Sequence, residues 1–298
     1  MSVSLLPEYI AGYMDGDGCF RISKYHPKKG GTRYSACVDL TSHIRTLPDA
    51  MVEQFSGFVQ TKVPRKSNHR LEYRWNKSLS RSSSFLLAVM PHLILKQSQA
   101  GLLSELIGRQ APTSIGVPDA ELDIRESLRE EVKRLNNKSC CPHDSQTPSL
   151  AYLSGFFDAE GSVQVSPVWG KQDQLRLYIS AGNRCRWVLE QFKAEFGGSV
   201  CVHSQAGKYW FWQAVARDAQ STLRAMMPWL IVKKENAING LSLCDVVVRG
   251  RRRPWTGEER AVLNRIREKS VLLNRGERVV ISTIATTPPV EVPTLSAV

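Results

Sequence analysis

The chain writes one unusual stretch twice. "YIAGYMDGDG" spans residues 9–18 and "YLSGFFDAEG" spans 152–161. Asp15 and Asp158 stand 143 residues apart, and so do Asp17 and Glu160. A period that long in a 298-residue chain predicts two copies of one domain, not a solenoid of short units. The stretch also limits how each copy begins. Small residues at Ala11, Gly12 and Gly16, and again at Ser154, Gly155 and Ala159, are too many for a helix built for stability alone. Each glycine costs about 1 kcal/mol against alanine inside a helix. Small residues do let two helix backbones approach closely. Packing the two stretches together would set Asp17 beside Glu160 at the seam between the copies.

Each copy then continues in the same order. "LLPEYIAGYMDG" places Pro7 in a first helical turn, and "TPSLAYLSGFFDA" offers Thr147 as N-cap with Pro148 first in the helix. Beyond Gly18 and Gly161 the apolar period changes from helical to alternating. Strands are predicted in "CFRISKY", "RYSACVDL" and "HRLEYRW" of the first copy. The second copy answers with "SVQVSPV", "QLRLYIS", "GSVCVHS" and "KYWFWQAV". "LPDAMVEQFSG" and "RCRWVLEQFKAEFGG" read as helices between strands. "MPHLILKQSQAGLLSEL" and "MPWLIVKKENAINGLSL" close the copies, with Lys96 and Lys233 at matching places.

This order predicts a mixed α/β (α+β) fold of two pseudo-symmetric αββαββα copies packed through paired motif helices. Each copy has an antiparallel sheet whose helix-free face can meet solvent or a ligand. The expected boundaries are 1–136 for the first copy, 137–149 for a turn-rich link and 150–248 for the second copy. Residues 249–298 form a basic C-terminal extension. The charged amphipathic helix "VPDAELDIRESLREEVKRLNN" leads into the link. In the extension, Thr256 and Glu259 make a capping box for a helix over about 257–273, ahead of an extended tail.

A formal net charge of +12 suits a polyanion or an anionic membrane surface. No apolar run approaches the roughly 20 residues that cross a bilayer, and no secretory leader is visible. An intracellular protein with no membrane partner is expected. Seven irregularly spaced cysteines make no disulfide framework. Neither Cys140, Cys141 and His143 nor Cys201 and His203 show the paired spacing of a structural zinc site. The repeated carboxylates are the better candidates for chemistry. Two like charges at the C-terminal ends of neighbouring helices are electrostatically poor alone, and a divalent cation with oxygen ligands relieves both problems.

"IAGYMDGDG" and "LSGFFDAEG" resemble the two signature motifs of the LAGLIDADG homing endonucleases, in the single-chain form that folds as a pseudo-dimer. The resemblance spans roughly residues 5–248, because the strands and the "LILKQ" and "LIVKK" segments follow that family's order. Tyr13 and Met14 stand where aliphatics are usual, and Ser154 where alanine is. The resemblance implies a site-specific double-strand DNA endonuclease that hydrolyses phosphodiesters with divalent metal ions. It implies 3′ overhangs at a long, asymmetric target and a monomer with no obligate protein partner. Asp17 and Glu160 would bind the metal and act catalytically, with Lys96 and Lys233 as the basic catalytic residues. Asp15 with Gly18, and Asp158 with Gly161, would close the motif helices. Mg²⁺ is the implied ion, with Mn²⁺ able to substitute and Ca²⁺ binding without efficient cleavage. The family often orients water with a polar side chain after the second strand. "LTSH" offers Ser42 for this, whereas "ISAG" offers Ala181, which implies unequal centres.

In that family the open sheet faces form a saddle in the DNA major groove. Strand alternation assigns to this face Arg21, Ser23, Tyr25, Arg33, Ser35, Cys37, Asp39, Arg70, Glu72 and Arg74 from the first copy. The second copy supplies Gln164, Ser166, Gln174, Arg176 and Tyr178. Basic stretches at 28–31, 62–66 and 249–253 read as phosphate-contacting loops. Two rival readings use the same scaffold: an RNA-binding maturase that assists group I intron splicing, and a DNA-binding protein that does not cut. Intact acidic residues in both motifs favour cutting, and intron RNA stays open as a second ligand. The first motif begins close to the N-terminus, so a free-standing or intron-encoded enzyme is expected rather than an intein.

Overall fold

In a computed structural model, residues 4–28, 31–63, 71–109, 117–137, 147–168, 171–202, 209–247 and 255–275 are described. Pro7, which lacks the N–H that a first turn cannot use, opens α1 (Pro7–Asp17). The first repeat continues with β1 (Gly18–Tyr25), β2 (Arg33–Ser42), α2 (Thr46–Phe55), β3 (Phe58–Lys62) and β4 (Glu72–Ser78). It ends with α3 (Ser84–Val89), α4 (Gln97–Arg109) and α5 (Asp119–Asn137). The second repeat has α6 (Leu150–Glu160), β5 (Gly161–Val168), β6 (Lys171–Asn183), α7 (Arg186–Phe196), β7 (Ser199–Val202) and β8 (Trp210–Val215). It closes with α8 (Ala216–Met226), α9 (Lys234–Val246) and α10 (Gly257–Arg275). Each repeat forms one antiparallel four-stranded sheet, ordered β1-β2-β4-β3 and β5-β6-β8-β7.

One face of each sheet is the core. Phe20, Val38, Leu40 and Trp75 in the first, and Val163, Ile179 and Trp212 in the second, are buried beneath the helices. The two tryptophans occupy equivalent positions, opposite Leu40 and Ala181. Each buried indole N–H finds a carbonyl at the end of the preceding helix: Trp75 donates to Ser56 and Trp212 to Gly197, both at 2.8 Å.

The motif helices α1 and α6 join the halves. A Cβ on Gly12 would stand 1.9 Å from the Tyr152 carbonyl oxygen, and one on Gly155 would stand 1.9 Å from that of Tyr9. Only glycine lets the backbones come this close. The glycines that end the motifs have extended backbones, so they are not there for a left-handed turn. They leave room instead: a Cβ on Gly18 would lie 2.6 Å from Met14 Cα, and one on Gly161 would lie 2.4 Å from Phe157 O.

Several expectations move. The cap of α6 is Ser149, whose hydroxyl accepts from Tyr152 N–H, not Thr147. β3, a largely exposed edge strand, matches none of the runs read from the sequence. The helices α3 and α8 lie in stretches that none of the segments read from the sequence covers. The largest shift concerns α10. Its capping box forms as expected, with Thr256 N–H donating to Glu259 Oε2 at 2.8 Å and Glu259 N–H to Thr256 Oγ1 at 3.3 Å. However, it packs on α9 and β5 as α5 packs on α4 and β1. Asn136 at the end of α5 donates to Phe20 O at 2.8 Å, and Asn274 at the end of α10 donates to Val163 O at 2.9 Å. Phe20 and Val163 are equivalent residues, so α10 is the second repeat's counterpart of α5. An expected boundary at 248 separates it from the sheet it covers. No helix among the described residues is long and apolar enough to cross a membrane.

Candidate active site at the helix seam

Asp17 and Glu160 are the last residues of α1 and α6. The close crossing brings them together: a Cβ on Gly16 would lie 2.5 Å from Ala159 Cβ and 3.1 Å from Glu160 Cγ. Asp17 is exposed and Glu160 half-buried, yet protein crowds both. Desolvation raises the pKa of each, and for Glu160 the charge of Asp17 adds to the rise, taking it to about 7. Lys96 and Lys233 oppose the rise at both carboxylates.

The earlier pair of acids has another task. Asp15 is buried and accepts from the backbone N–H groups of Ile94, Leu95 and Lys96 at 2.7, 2.9 and 2.9 Å. Asp158 does the same for Ile231, Val232 and Lys233 at 2.7, 2.9 and 2.8 Å. Each carboxylate thus caps the turn that leads into α4 or α9, supplying acceptors where a helix start leaves N–H groups unpaired. Each takes a fourth bond from the opposite repeat. Tyr152 Oη donates to Asp15 at 2.6 Å, and Tyr9 Oη donates to Asp158 at 2.7 Å. The helix-end role expected for this pair becomes a bond across the seam.

The lysines are less free than the sequence suggests. Lys96 Nζ donates to the carbonyls of Met14, Gly16 and Gly18 at 2.8, 2.9 and 2.7 Å, which engages all three ammonium protons. It therefore neutralises the carbonyl end of α1, where a cation is favourable. Burial pushes its pKa down against the pull of Asp15, Glu160 and Asp17. Lys233 Nζ donates to the Asp158 carbonyl, at the matching end of α6.

Beside Glu160 opens a cleft of about 360 Å³, lined also by Lys96, Gln99, Asn183 and Tyr209. Asn183 is a residue the sequence reading missed. Its Nδ2 donates to Glu160 Oε1 at 3.3 Å, while its Oδ1 accepts from Cys185 N–H at 2.9 Å. Strand register makes it, not Ala181, the counterpart of Ser42, because Gly18 pairs with Leu40 and Gly161 with Ala181. Counting along the chain does not find it, because Ser42 lies 24 residues after Gly18 and Asn183 only 22 after Gly161. Ser42 itself is buried, and its Oγ accepts from Ile44 N–H at 3.1 Å. That corrects its assignment as a water-positioning group. Tyr209 lies against Gly182, where a Cβ would stand 2.8 Å from the phenol oxygen, and Glu160 adds to the rise in its pKa that burial begins. Gln99 adds a buried Oε1 without a partner. A cavity of about 420 Å³ lies at the other end of α1, beside Leu5, Tyr9 and Trp229, with no paired carboxylates.

No family model matches this sequence, and no curated protein does. Solved structures do match. The LAGLIDADG homing endonuclease I-GzeII in complex with its DNA target superposes with a TM-score of 0.68 at 16% identity, over 89% of this chain and 98% of that one. I-SmaMI bound to an uncleaved DNA target with calcium ions gives 0.66 at 18%, over 91% and 99%. I-SmaMI bound to cleaved DNA gives 0.66 at 17%, over 92% and 99%. The chain has the LAGLIDADG homing endonuclease fold. Paired αββαββα halves, each with a four-stranded antiparallel sheet, are the architecture expected from the repeated motif.

On the LAGLIDADG sheets, alternation places the predicted residues with mixed results. Tyr25, Arg33, Gln164, Gln174 and Arg176 are exposed, and Arg21, Ser23, Ser35, Glu72, Arg74, Ser166 and Tyr178 are half-buried. Cys37 and Asp39 are buried and present no free surface. Asp39 is instead enclosed by arginines: Oδ1 accepts from Arg74 Nε and Nη2 at 2.9 and 2.6 Å, and Oδ2 accepts from Arg21 Nη1. Arg70, the stretch 249–253 and parts of 28–31 and 62–66 lie outside the described residues, as do Cys140, Cys141, His143 and His203.

Proposed function

We propose that this chain is a monomeric, metal-dependent DNA endonuclease of the LAGLIDADG homing type that cuts both strands of a long, partly palindromic duplex. The observation that carries this reading is the placement of Asp17 and Glu160, adjacent at the seam of two halves that each present an open, polar sheet face. The fold shared with DNA-bound endonucleases supports it.

The two carboxylates suit a divalent cation. Both are pushed towards protonation by the desolvation that surrounding protein imposes, and at Glu160 also by the neighbouring charge. Lys96 spends its ammonium protons on main-chain carbonyls at the end of α1. Among the described residues no set of three or more His, Cys, Asp or Glu side chains gathers to hold a metal. Water and phosphate oxygens would therefore complete the ligands around Asp17 and Glu160, as Mg²⁺ commonly allows. A divalent cation bound there supplies positive charge and Lewis acidity at the scissile phosphate.

The chain's own residues do the rest. Asn183 holds Glu160 in place, and Lys96 and Lys233 keep the helix ends from repelling an incoming phosphate. Water is the nucleophile, and hydrolysis on each strand leaves 3′ overhangs. The exposed arginines and glutamines of the two sheets contact base edges and phosphates in the groove.

The test is incubation of the purified chain with a library of duplex targets in Mg²⁺, with each strand labelled and the ends mapped. Cleavage should need the metal. The Asp17→Asn, Glu160→Gln double variant should bind the selected duplex yet cut at least ~10³-fold more slowly, the effect of losing several kcal/mol of charge stabilisation. Full cleavage by that variant, blunt ends, or an obligate dimer on DNA would overturn the proposal.

A further inference from the structure

Among the described residues, the first sheet holds a charge arrangement that the second lacks. Asp39 sits on the helix-free face of β2 but is only 4% exposed, because arginines from both neighbouring strands close over it. Arg74 grips one carboxylate oxygen through Nε and Nη2, and Arg21 reaches the other through Nη1. Both arginine side chains remain 37% exposed. An ordinary surface ion pair contributes little stability. What this arrangement does is fix two planar forks on the open face while leaving the remaining N–H groups of each guanidinium to face outward.

In the second repeat, strand register puts Gln164 where Arg21 is, Ser180 where Asp39 is, and Phe211 where Arg74 is. None of these carries a charge. The amides there are occupied with hydroxyl groups: Gln164 Nε2 donates to Ser162 Oγ at 3.1 Å, and Gln213 Oε1 accepts from Tyr178 Oη at 3.1 Å.

We infer that Arg21 and Arg74, positioned by Asp39, each read a guanine in the half of the target under the first repeat, and that the second half carries no such requirement. This rests on the DNA-binding reading above. A guanidinium fork matches the O6 and N7 acceptors of guanine in the major groove, and no other base edge presents that pair. The positions belong to the inner part of the half-site, since Arg21 lies four residues beyond Asp17, about 13 Å of strand. Asp39 has both oxygens occupied, so it is a positioning residue and does not itself read a base.

The experiment is a binding selection with the full chain on a randomised duplex library in Ca²⁺, followed by sequencing, so that no cleavage is needed. Two guanine positions should emerge in one half-site only, each worth roughly 10- to 100-fold in affinity. Arg21→Ala and Arg74→Ala should each erase the preference at one position. Asp39→Asn should blur both at once, with thermal melting confirming that the fold persists. Arg74→Lys keeps the charge but loses the fork, so the dependence of binding on salt should stay while the guanine preference goes.

Enriched duplexes without these guanines, or with matching guanines in both halves, would overturn the inference and leave the nuclease reading standing. Retained preference in Arg74→Lys would also overturn it, by showing that the guanine is not read through a guanidinium fork. Guanines present without cleavage in Mg²⁺ would support the inference and sink the nuclease reading, and no enrichment at all would overturn both.

Discussion

The helix seam and the two sheet faces follow different rules. At the seam each contact has its twin: Gly12 against Tyr152 and Gly155 against Tyr9, Tyr152 on Asp15 and Tyr9 on Asp158. On the sheets, equivalent positions have parted. Arg21, Asp39 and Arg74 face Gln164, Ser180 and Phe211 as counterparts, and around the carboxylates Ser42 and Glu72 answer to Asn183 and Tyr209. The seam buries polar groups and backbones where any change leaves a clash or an unpaired atom. The faces meet only solvent or a ligand, so an asymmetric ligand can shape them separately.

The strongest way to break this contrast is at the glycines. Gly12→Ala and Gly155→Ala place a Cβ 1.9 Å from a carbonyl oxygen and should each destabilise the chain by at least ~3 kcal/mol, the upper end of overpacking costs. Gly101, in α4, has nothing within 4 Å of such a Cβ, so Gly101→Ala should be neutral or stabilising. Urea unfolding of the three variants checks both statements.

Next come the tyrosines. Tyr9→Phe and Tyr152→Phe each strip one donor from a buried carboxylate and should cost about 1–3 kcal/mol. The seam's symmetry requires the two losses to agree. Unequal losses in the same unfolding assay would show that the halves do not share the load evenly.

Acidity sharpens the comparison at the site. Glu160, raised to about 7 from an ordinary 4.5, keeps its proton in the folded chain after the unfolded chain has released it. Without metal, stability should therefore fall as pH rises between those values and level off above about 7, and Glu160→Gln should flatten that slope. Proton and cation compete for the carboxylate, so cleavage at limiting Mg²⁺ should drop as pH falls below about 7. Melting curves and a pH–rate profile measure the two effects.

The smallest effect is expected from the polar residues after the second strands. Asn183→Ala removes a 3.3 Å bond to Glu160 and should slow cutting a few-fold, roughly the worth of one weak hydrogen bond. Ser42→Ala, whose hydroxyl accepts from Ile44 N–H and also bonds the Tyr13 hydroxyl, should change strand nicking less. Time courses with each strand labelled separately would distinguish them.

Much of this was legible in the sequence because it is periodic or repeated. The glycines and carboxylates of the two motifs foretold the crossing and the pairing of Asp17 with Glu160. The alternation in "CFRISKY" foretold which residues of β1 face away from the core. What escaped depends on pairing between distant strands. Asn183 escapes because "ISAG" and "LTSH" stand two residues out of step, and only the Gly161–Ala181 pair fixes the count. Asp39 looked like a groove-facing side chain, since alternation cannot show that two arginines will cover it. Lys96 looked like a free base because nothing local reveals three carbonyls from the end of α1 gathered around it. α10 shares little with α5 except Asn274 and Asn136, whose common target is visible only once β1 and β5 are in place.

The tyrosine–carboxylate exchange across the seam also bears on ancestry. Tyr9 and Asp15 hold the same places in one repeat as Tyr152 and Asp158 hold in the other. A lone repeat meeting a second copy of itself about a twofold axis would satisfy all four groups without a new residue. The seam is thus already a homodimer interface in its chemistry, and fusing two such copies into one gene requires no invention there. What fusion changes is inheritance. Once the halves are encoded separately, a mutation in one sheet is no longer copied into the other, and each can drift towards its own stretch of duplex while the seam stays as it was.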